Sequence, residues 1–161
     1  MRKLVTCHRQ TQSDMTVKKD SSIAEVYKFN PETRVMRPLF STGVSAGFPS
    51  PADDFIEQRL DLNEYCIKHP AATFFVRVAG DSMIDAGICH EDILIVDRSL
   101  IPAENKIIIA VLDGELTVKR LIKNGNGWRL KAENASYPNL DVSSEQQFEV
   151  WGVVVYAIHK L

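Results

Sequence analysis

A mostly β fold with short N-terminal helices and an extended N-terminal arm is predicted by three features of the sequence. From residue 72 onward, short runs rich in β-branched and aromatic residues recur between turn residues. Between two of these runs stands Asp113-Gly114, a two-residue hairpin signal because a type I′ turn needs positive φ at both positions. Ahead of them, the Ser/Gly/Pro-rich stretch 41–51, STGVSAGFPSP, separates a polar N-terminal segment from the body. At 161 residues the chain is about one domain long. A domain of that size buries roughly 68–70% of its unfolded surface and needs no metal or disulfide staple.

Residues 1–46 show no sustained periodicity. Polar and charged side chains dominate 8–22, and Pro31 and Pro38 interrupt the stretch after it. Ile23, Val26, Tyr27 and Phe29 make one short element, and the whole segment reads as an arm whose linker ends near Pro51. A helix is expected next. Ser50 is placed to N-cap it, Pro51 suits its first position, and Asp53 and Asp54 sit near the positive end of the helix dipole. Phe55, Ile56 and Leu60 supply its apolar side. A second short helix is expected over 62–68, stopped by Pro70. The strands lie at 72–78, 92–97, 106–112, 115–122, 128–132 and 148–158, with 106–112 and 115–122 paired antiparallel through the Asp-Gly turn.

Composition narrows the function classes. Hydrophobic residues are 45% and charged residues 25%, the balance of an ordinary soluble domain. The net charge of −2 argues against a generally basic nucleic-acid binder, but it is unevenly spread. Residues 1–46 carry 8 basic and 4 acidic side chains (+4), while 47–161 carry 11 and 17 (−6). Three cysteines, Cys7, Cys66 and Cys89, are an odd number without metal-type spacing, which predicts no disulfide framework and a reducing compartment. Apolar runs fall far short of the ~18 residues of a membrane span. The start MRKLVTCHRQTQSD has no signal-peptide core. A cytoplasmic protein without membrane contact is expected.

Two residues stand out as candidate chemistry. Ser82 lies in VAGDSMIDAGI, just beyond the run ATFFVRV and between Gly80 and Gly87. A serine in a tight loop at a strand end can act as a nucleophile, with neighbouring backbone N–H groups as oxyanion donors. Lys119 shares a strand face with Glu115, Thr117 and Leu121. If that face is buried, the ammonium loses hydration and the amine becomes able to act as a general base. A Gly-Asp-Ser turn and a solvated strand lysine also have ordinary structural roles, and both readings stand on the residues alone. Other chemistry is poorly supported. There is no Gly-x-Ser-x-Gly elbow and no His-Glu-x-x-His helix, and Cys89 and His90 point apart on an extended chain. Asp81, Asp85, Asp92 and Asp97 lack calcium-loop spacing, so no metal or cofactor is expected.

The blocks GFPSPADDFIEQRLDLNEY, FFVRVAGDSMIDAGI, DILIVD, DGELTVKRL, ENASYPNL and FEVWGVVVYAI together resemble the self-cleaving LexA/UmuD serine peptidases, and within them the UmuD-like proteins, over about residues 39–161. The resemblance implies a LexA/UmuD-type peptidase β-fold, Ser82 as nucleophile, Lys119 as general base, and backbone support for the oxyanion around Ser82 and Met83. It also implies self-cleavage at Ala46-Gly47. That would divide the chain into an arm, 1–46, and a serine–lysine peptidase domain, 47–161. Ala79-Gly80 and Ala86-Gly87 have the same dipeptide but lie inside the catalytic body. By the same resemblance, a RecA filament on single-stranded DNA stimulates cleavage in the SOS response. The fragment then forms a homodimer that serves a UmuC-like Y-family polymerase in translesion synthesis. The arm is some twenty residues longer than is usual for UmuD-like proteins, and too poor in helical periodicity for a helix-turn-helix domain. Direct sequence-specific DNA binding is therefore not expected. The alternatives are a non-cleaving interaction module and a LexA-related repressor.

Overall fold

The computed structural model describes residues 22–28, 36–40, 56–143 and 146–161. Ala46-Gly47, with Ser50 to Phe55, lies outside the described residues, between two described strands. The elements in chain order are β1 (Ile23–Lys28), β2 (Met36–Phe40), β3 (Ile56–Asp61), α1 (Leu62–Cys66), β4 (Thr73–Val78), β5 (Ile93–Asp97), β6 (Ile107–Leu112), β7 (Glu115–Asn124), β8 (Gly127–Lys131), β9 (Leu140–Asp141) and β10 (Phe148–Ile158). Short 3-10 turns stand at Pro70–Ala72 and Ile84–Ala86. The expected mostly β fold is present, and each of the six expected body strands forms within two residues of its expected bounds.

Eight strands make one sheet in the order β1-β4-β5-β10-β6-β7-β8-β9, with antiparallel neighbours throughout. The Asp-Gly turn joins β6 to β7 as its chemistry requires: Asp113 has φ 51° and Gly114 φ 85°, and Leu112 faces Glu115 across the ladder. Strand β10 holds the sheet together by changing partners. It pairs with β6 along 148–153 and with β5 along 153–158, with irregularities at Val150/Gly152 and Val154/Tyr156. Such bulges bend a strand and increase its twist. At the bend, a Cβ on Gly152 would stand 2.6 Å from Val96 Cγ1 and 3.3 Å from Arg98 Cγ, so only glycine lets β10 lie this close to β5.

Alternation sends β6 side chains to two apolar clusters. Ile109 packs with Val76, Val78, Met83, Leu94, Val96 and Val118, while Ile108 and Ala110 pack with Leu121, Leu130 and Val153. Met83 thereby anchors the loop after β4 directly in the first cluster.

Four expectations change. The helix expected from Pro51 to Leu60 is not formed over its second half, where β3 runs from Ile56 to Asp61 and pairs with β2. Glu57, Gln58 and Arg59 favour helix intrinsically, but propensity is a weak prior that strand pairing overrides. Pro38 does not break β2; it faces Arg59 in a two-stranded ribbon, where both strands are edges and proline is tolerated. The second expected helix forms, shortened to Leu62–Cys66, with the Asp61 side chain accepting from the Asn63 N–H at 2.8 Å. Finally, Cys89 is disulfide-bonded and Cys66 is free, against the expectation of no disulfide. Three spaced cysteines in a sequence do not reveal which pair the fold brings together.

Candidate active site

The loop after β4 carries Ser82, and β7 carries Lys119. The fold brings them together. Lys119 Nζ lies 3.2 Å from Ser82 Oγ, 3.1 Å from Thr117 Oγ1 and 3.1 Å from the Val118 carbonyl oxygen. Lys119 is 1% exposed and Ser82 2%. Burial of a lysine disfavours its charged form, so the environment suits the neutral amine that a general base requires.

The lysine's position derives from register. On β7, Thr117 stands opposite Ala110 and Lys119 opposite Ile108, and these two polar residues share one buried strand face. The sequence alone leaves open whether this face is buried or solvated; it is buried.

The serine's position derives from bracing. Gly80, at φ 93°, turns the chain out of β4, and its N–H donates to His90 Nδ1 at 3.1 Å. The Asp81 carbonyl accepts from Asn134 Nδ2 at 2.9 Å, and the Asp81 carboxylate accepts from the Tyr137 hydroxyl. The Asp85 N–H donates to the Glu133 carbonyl at 2.8 Å. Met83 is 2% exposed, and its carbonyl accepts from the N–H groups of Ala86 and Ile88. Ala79-Gly80 and Ala86-Gly87 both lie in this braced region. The segment 133–137 is therefore the clamp on the Ser82 loop, a role that no local sequence signal marks. Thr117 also belongs to the site without having been singled out by residue type, although its place two residues before Lys119 on one strand face is a legible signal.

Among the described residues, Cys89, Asp92 and His159 bring three donor atoms within 4.8 Å. Each is already engaged: Cys89 is disulfide-bonded, and Asp92 accepts from the Cys89 N–H and pairs with His159 Nδ1, both at 2.7 Å. This is a structural knot under β5 rather than a built metal centre. A cavity of about 510 Å³ bordered by Cys66, His69, Asp97, Leu100, Ile101 and Tyr156 includes neither Ser82 nor Lys119. No helix among the described residues is long and apolar enough to cross a membrane.

The class of protein, a serine peptidase domain, comes from comparison with known proteins, and a buried serine–lysine pair on an antiparallel sheet is compatible with it. Residues 38–155 match the Peptidase S24-like family, and the chain belongs to that family. It is 46% identical to protein ImpA of Escherichia coli over 133 residues, covering 78% of this chain and 85% of that protein. It is 47% identical to protein SamA of Salmonella typhimurium over 123 residues, covering 76% and 85%. It is 41% identical to protein MucA of Escherichia coli over 122 residues, covering 75% and 83%. The match to LexA repressor 2 of Pseudomonas putida, 36% over 110 residues, covers only 54% of that protein. The chain is thus a UmuD-like member of the LexA/UmuD group, a family of self-cleaving serine peptidases whose UmuD-like members serve SOS mutagenesis.

Proposed function

We propose that this chain cleaves itself once, at Ala46-Gly47, through Ser82 and Lys119. The observation that carries the proposal is the 3.2 Å contact between two side chains buried to 2% exposure or less. Neutral Lys119 takes the hydroxyl proton of Ser82, and the alkoxide attacks the Ala46 carbonyl carbon. Backbone N–H groups at Ser82 and Met83 stabilise the oxyanion. The tetrahedral intermediate collapses as the lysine ammonium returns its proton to the Gly47 nitrogen, which leaves as a free amine. Water, deprotonated by the same lysine, then releases residues 1–46 with a terminal carboxylate and regenerates Ser82. Tethering gives the scissile bond a high effective concentration, so modest chemistry suffices for a one-time switch.

The fragment 47–161 then acts as a homodimeric accessory subunit of a Y-family translesion polymerase, and a RecA filament on single-stranded DNA stimulates the cut by favouring the cleavage-competent arm position. The extents of similarity support this over an operator-binding repressor: ImpA and SamA are each covered over 85% of their length, and LexA repressor 2 over 54%. Cleavage also separates a +4 segment from a −6 body, which changes long-range steering of partners.

The test is mass spectrometry of the purified chain across pH, with and without RecA, nucleotide and single-stranded DNA. A fragment beginning at Gly47 is expected, accumulating faster as pH rises toward ~10, and Ser82→Ala abolishes it. A flat pH profile, or cleavage that persists in Ser82→Ala, overturns the proposal.

A further inference from the structure

Strand β1 lies on the arm side of Ala46-Gly47, yet it is built into the sheet of the body. It forms the edge of the sheet beyond β4. Ile23 stands opposite Val78, Glu25 opposite Arg77, Val26 opposite Val76, Tyr27 opposite Phe75 and Lys28 opposite Phe74. Cutting the chain beyond β2 breaks none of these contacts.

Side chains add to the ladder at three positions. Ser22 is 2% exposed. Its carbonyl accepts from the Ala79 N–H at 2.9 Å, and its Oγ accepts from the Val118 N–H at 3.0 Å. Ile23 packs against the cluster that holds Val76, Val78 and Met83. Glu25 accepts from Arg77 Nε at 3.1 Å, and Arg77 also reaches Glu91 at 3.3 Å. The rest of β1 is exposed. The β4 edge therefore reads a short pattern: a small hydroxyl residue, a branched apolar residue beside it and, two places on, an acid. Main-chain pairing supplies attraction, and these side chains set the register. A bare edge would leave N–H and C=O groups of β4 without strand partners. The opposite charges of 1–46 (+4) and 47–161 (−6) favour the same association.

We propose that the β4 edge is a strand-docking site whose occupant is the chain's own arm, held as a tethered strand before the cut and as the separate fragment 1–46 after it. This rests on the self-cleavage reading above. It adds that cutting and arm departure are two steps. The cut removes the tether, and with it the effective concentration that keeps β1 in place. Only after the cut does a second strand of the same pattern compete with β1 on equal terms, so the arm masks the β4 edge until it is exchanged or diluted away.

The experiment lets the full-length wild type cut itself to completion at alkaline pH and then returns it to neutral pH. A thiol reductant is present throughout, so that the disulfide at Cys89 makes no covalent tie. Size-exclusion chromatography with mass spectrometry then shows where fragment 1–46 elutes. It should co-elute with 47–161. An excess of synthetic peptide of residues 20–30, which carries Asp20 and Glu25 against Lys28 and so has no net positive charge, should move it to a separate peak. The same peptide with Ile23→Asp should need on the order of tenfold more to do so. An arm that elutes alone without peptide, an arm that the peptide does not displace, or two peptides of equal effect overturns docking on β4 and leaves the cut intact. A chain that yields no Gly47 fragment overturns the self-cleavage reading and this proposal with it.

Discussion

Ser82 and Lys119 reach the same 3.2 Å contact by opposite routes. Lys119 sits on β7, whose ladder with β6 fixes each residue from Glu115 to Arg120 against a named partner. Ser82 sits on an irregular loop held by side chains and carbonyls from 133–137, some fifty residues away in sequence. The strand therefore sets the base through main-chain pairing, which is hard to perturb with one side chain. The loop sets the nucleophile through a few replaceable polar contacts. Substitutions on the two sides should fail differently.

The largest effect is expected on the strand side. Lys119→Met keeps a chain of similar length and removes the base. Cleavage should fall by about 10²–10⁴-fold, the usual contribution of a positioned general base. Stability should hold or rise, because a buried amine is replaced by an apolar group. Fragment formation and a urea midpoint measured on one sample separate the two. A variant that cleaves within tenfold of wild type would remove Lys119 from the chemistry.

A smaller effect is expected on the loop side. Tyr137→Phe deletes the hydroxyl that donates to Asp81 and nothing larger. The Ser82 loop then loses one brace, and the plateau rate should fall about tenfold, the scale of a hydrogen bond to a charged group. Since the lysine is untouched, the rising limb of the pH profile should stay in place. A shifted limb would mean that loop and strand are not separable as argued.

The same contrast explains how much can be read from the sequence. The strands, the Asp113-Gly114 hairpin and the alternation that puts Thr117 and Lys119 on one face are local signals, and all three appear in the structure. Ser82 is legible as a loop serine between glycines. Its braces are not, because Asn134 and Tyr137 look like any Asn-Ala-Ser-Tyr-Pro turn until the fold sets them against Asp81. The helix expected over 51–60 fails for a related reason: Ile56–Asp61 has helix-forming residues, and its strand partner β2 lies on the far side of an unpatterned stretch. Ser22 is the least legible of all. Its contacts to Thr117 and Val118 span 95 and 96 residues of chain, and nothing in a polar N-terminal segment marks one serine as buried.

Glu133 joins the two sides and gives the smallest expected effect. Its carbonyl accepts from Asp85 on the loop, while its carboxylate pairs with Arg120 of β7 at 2.6 Å and Lys131 of β8 at 3.3 Å. Burial pushes the Glu133 carboxyl up, but the hydrogen bonds from Arg120 and Lys131 outweigh it and hold the group below its ordinary value. A carboxylate lowered in the folded state contributes stability that is fully present above its unfolded pKa, near ~4.3. That contribution is lost as pH falls through the folded value. Glu133→Gln keeps the shape and removes the charge. Its unfolding free energy from a urea titration should lie below wild type at neutral pH by on the order of 1 kcal/mol, and the gap should narrow as pH drops below ~4. Cleavage at alkaline pH should change less than in Tyr137→Phe, because the Asp85 contact uses the main-chain carbonyl and survives. A gap that stays constant down to pH ~2 would assign the loss to packing rather than to the carboxylate, and the link between β7 and the Ser82 loop would then rest on the backbone alone.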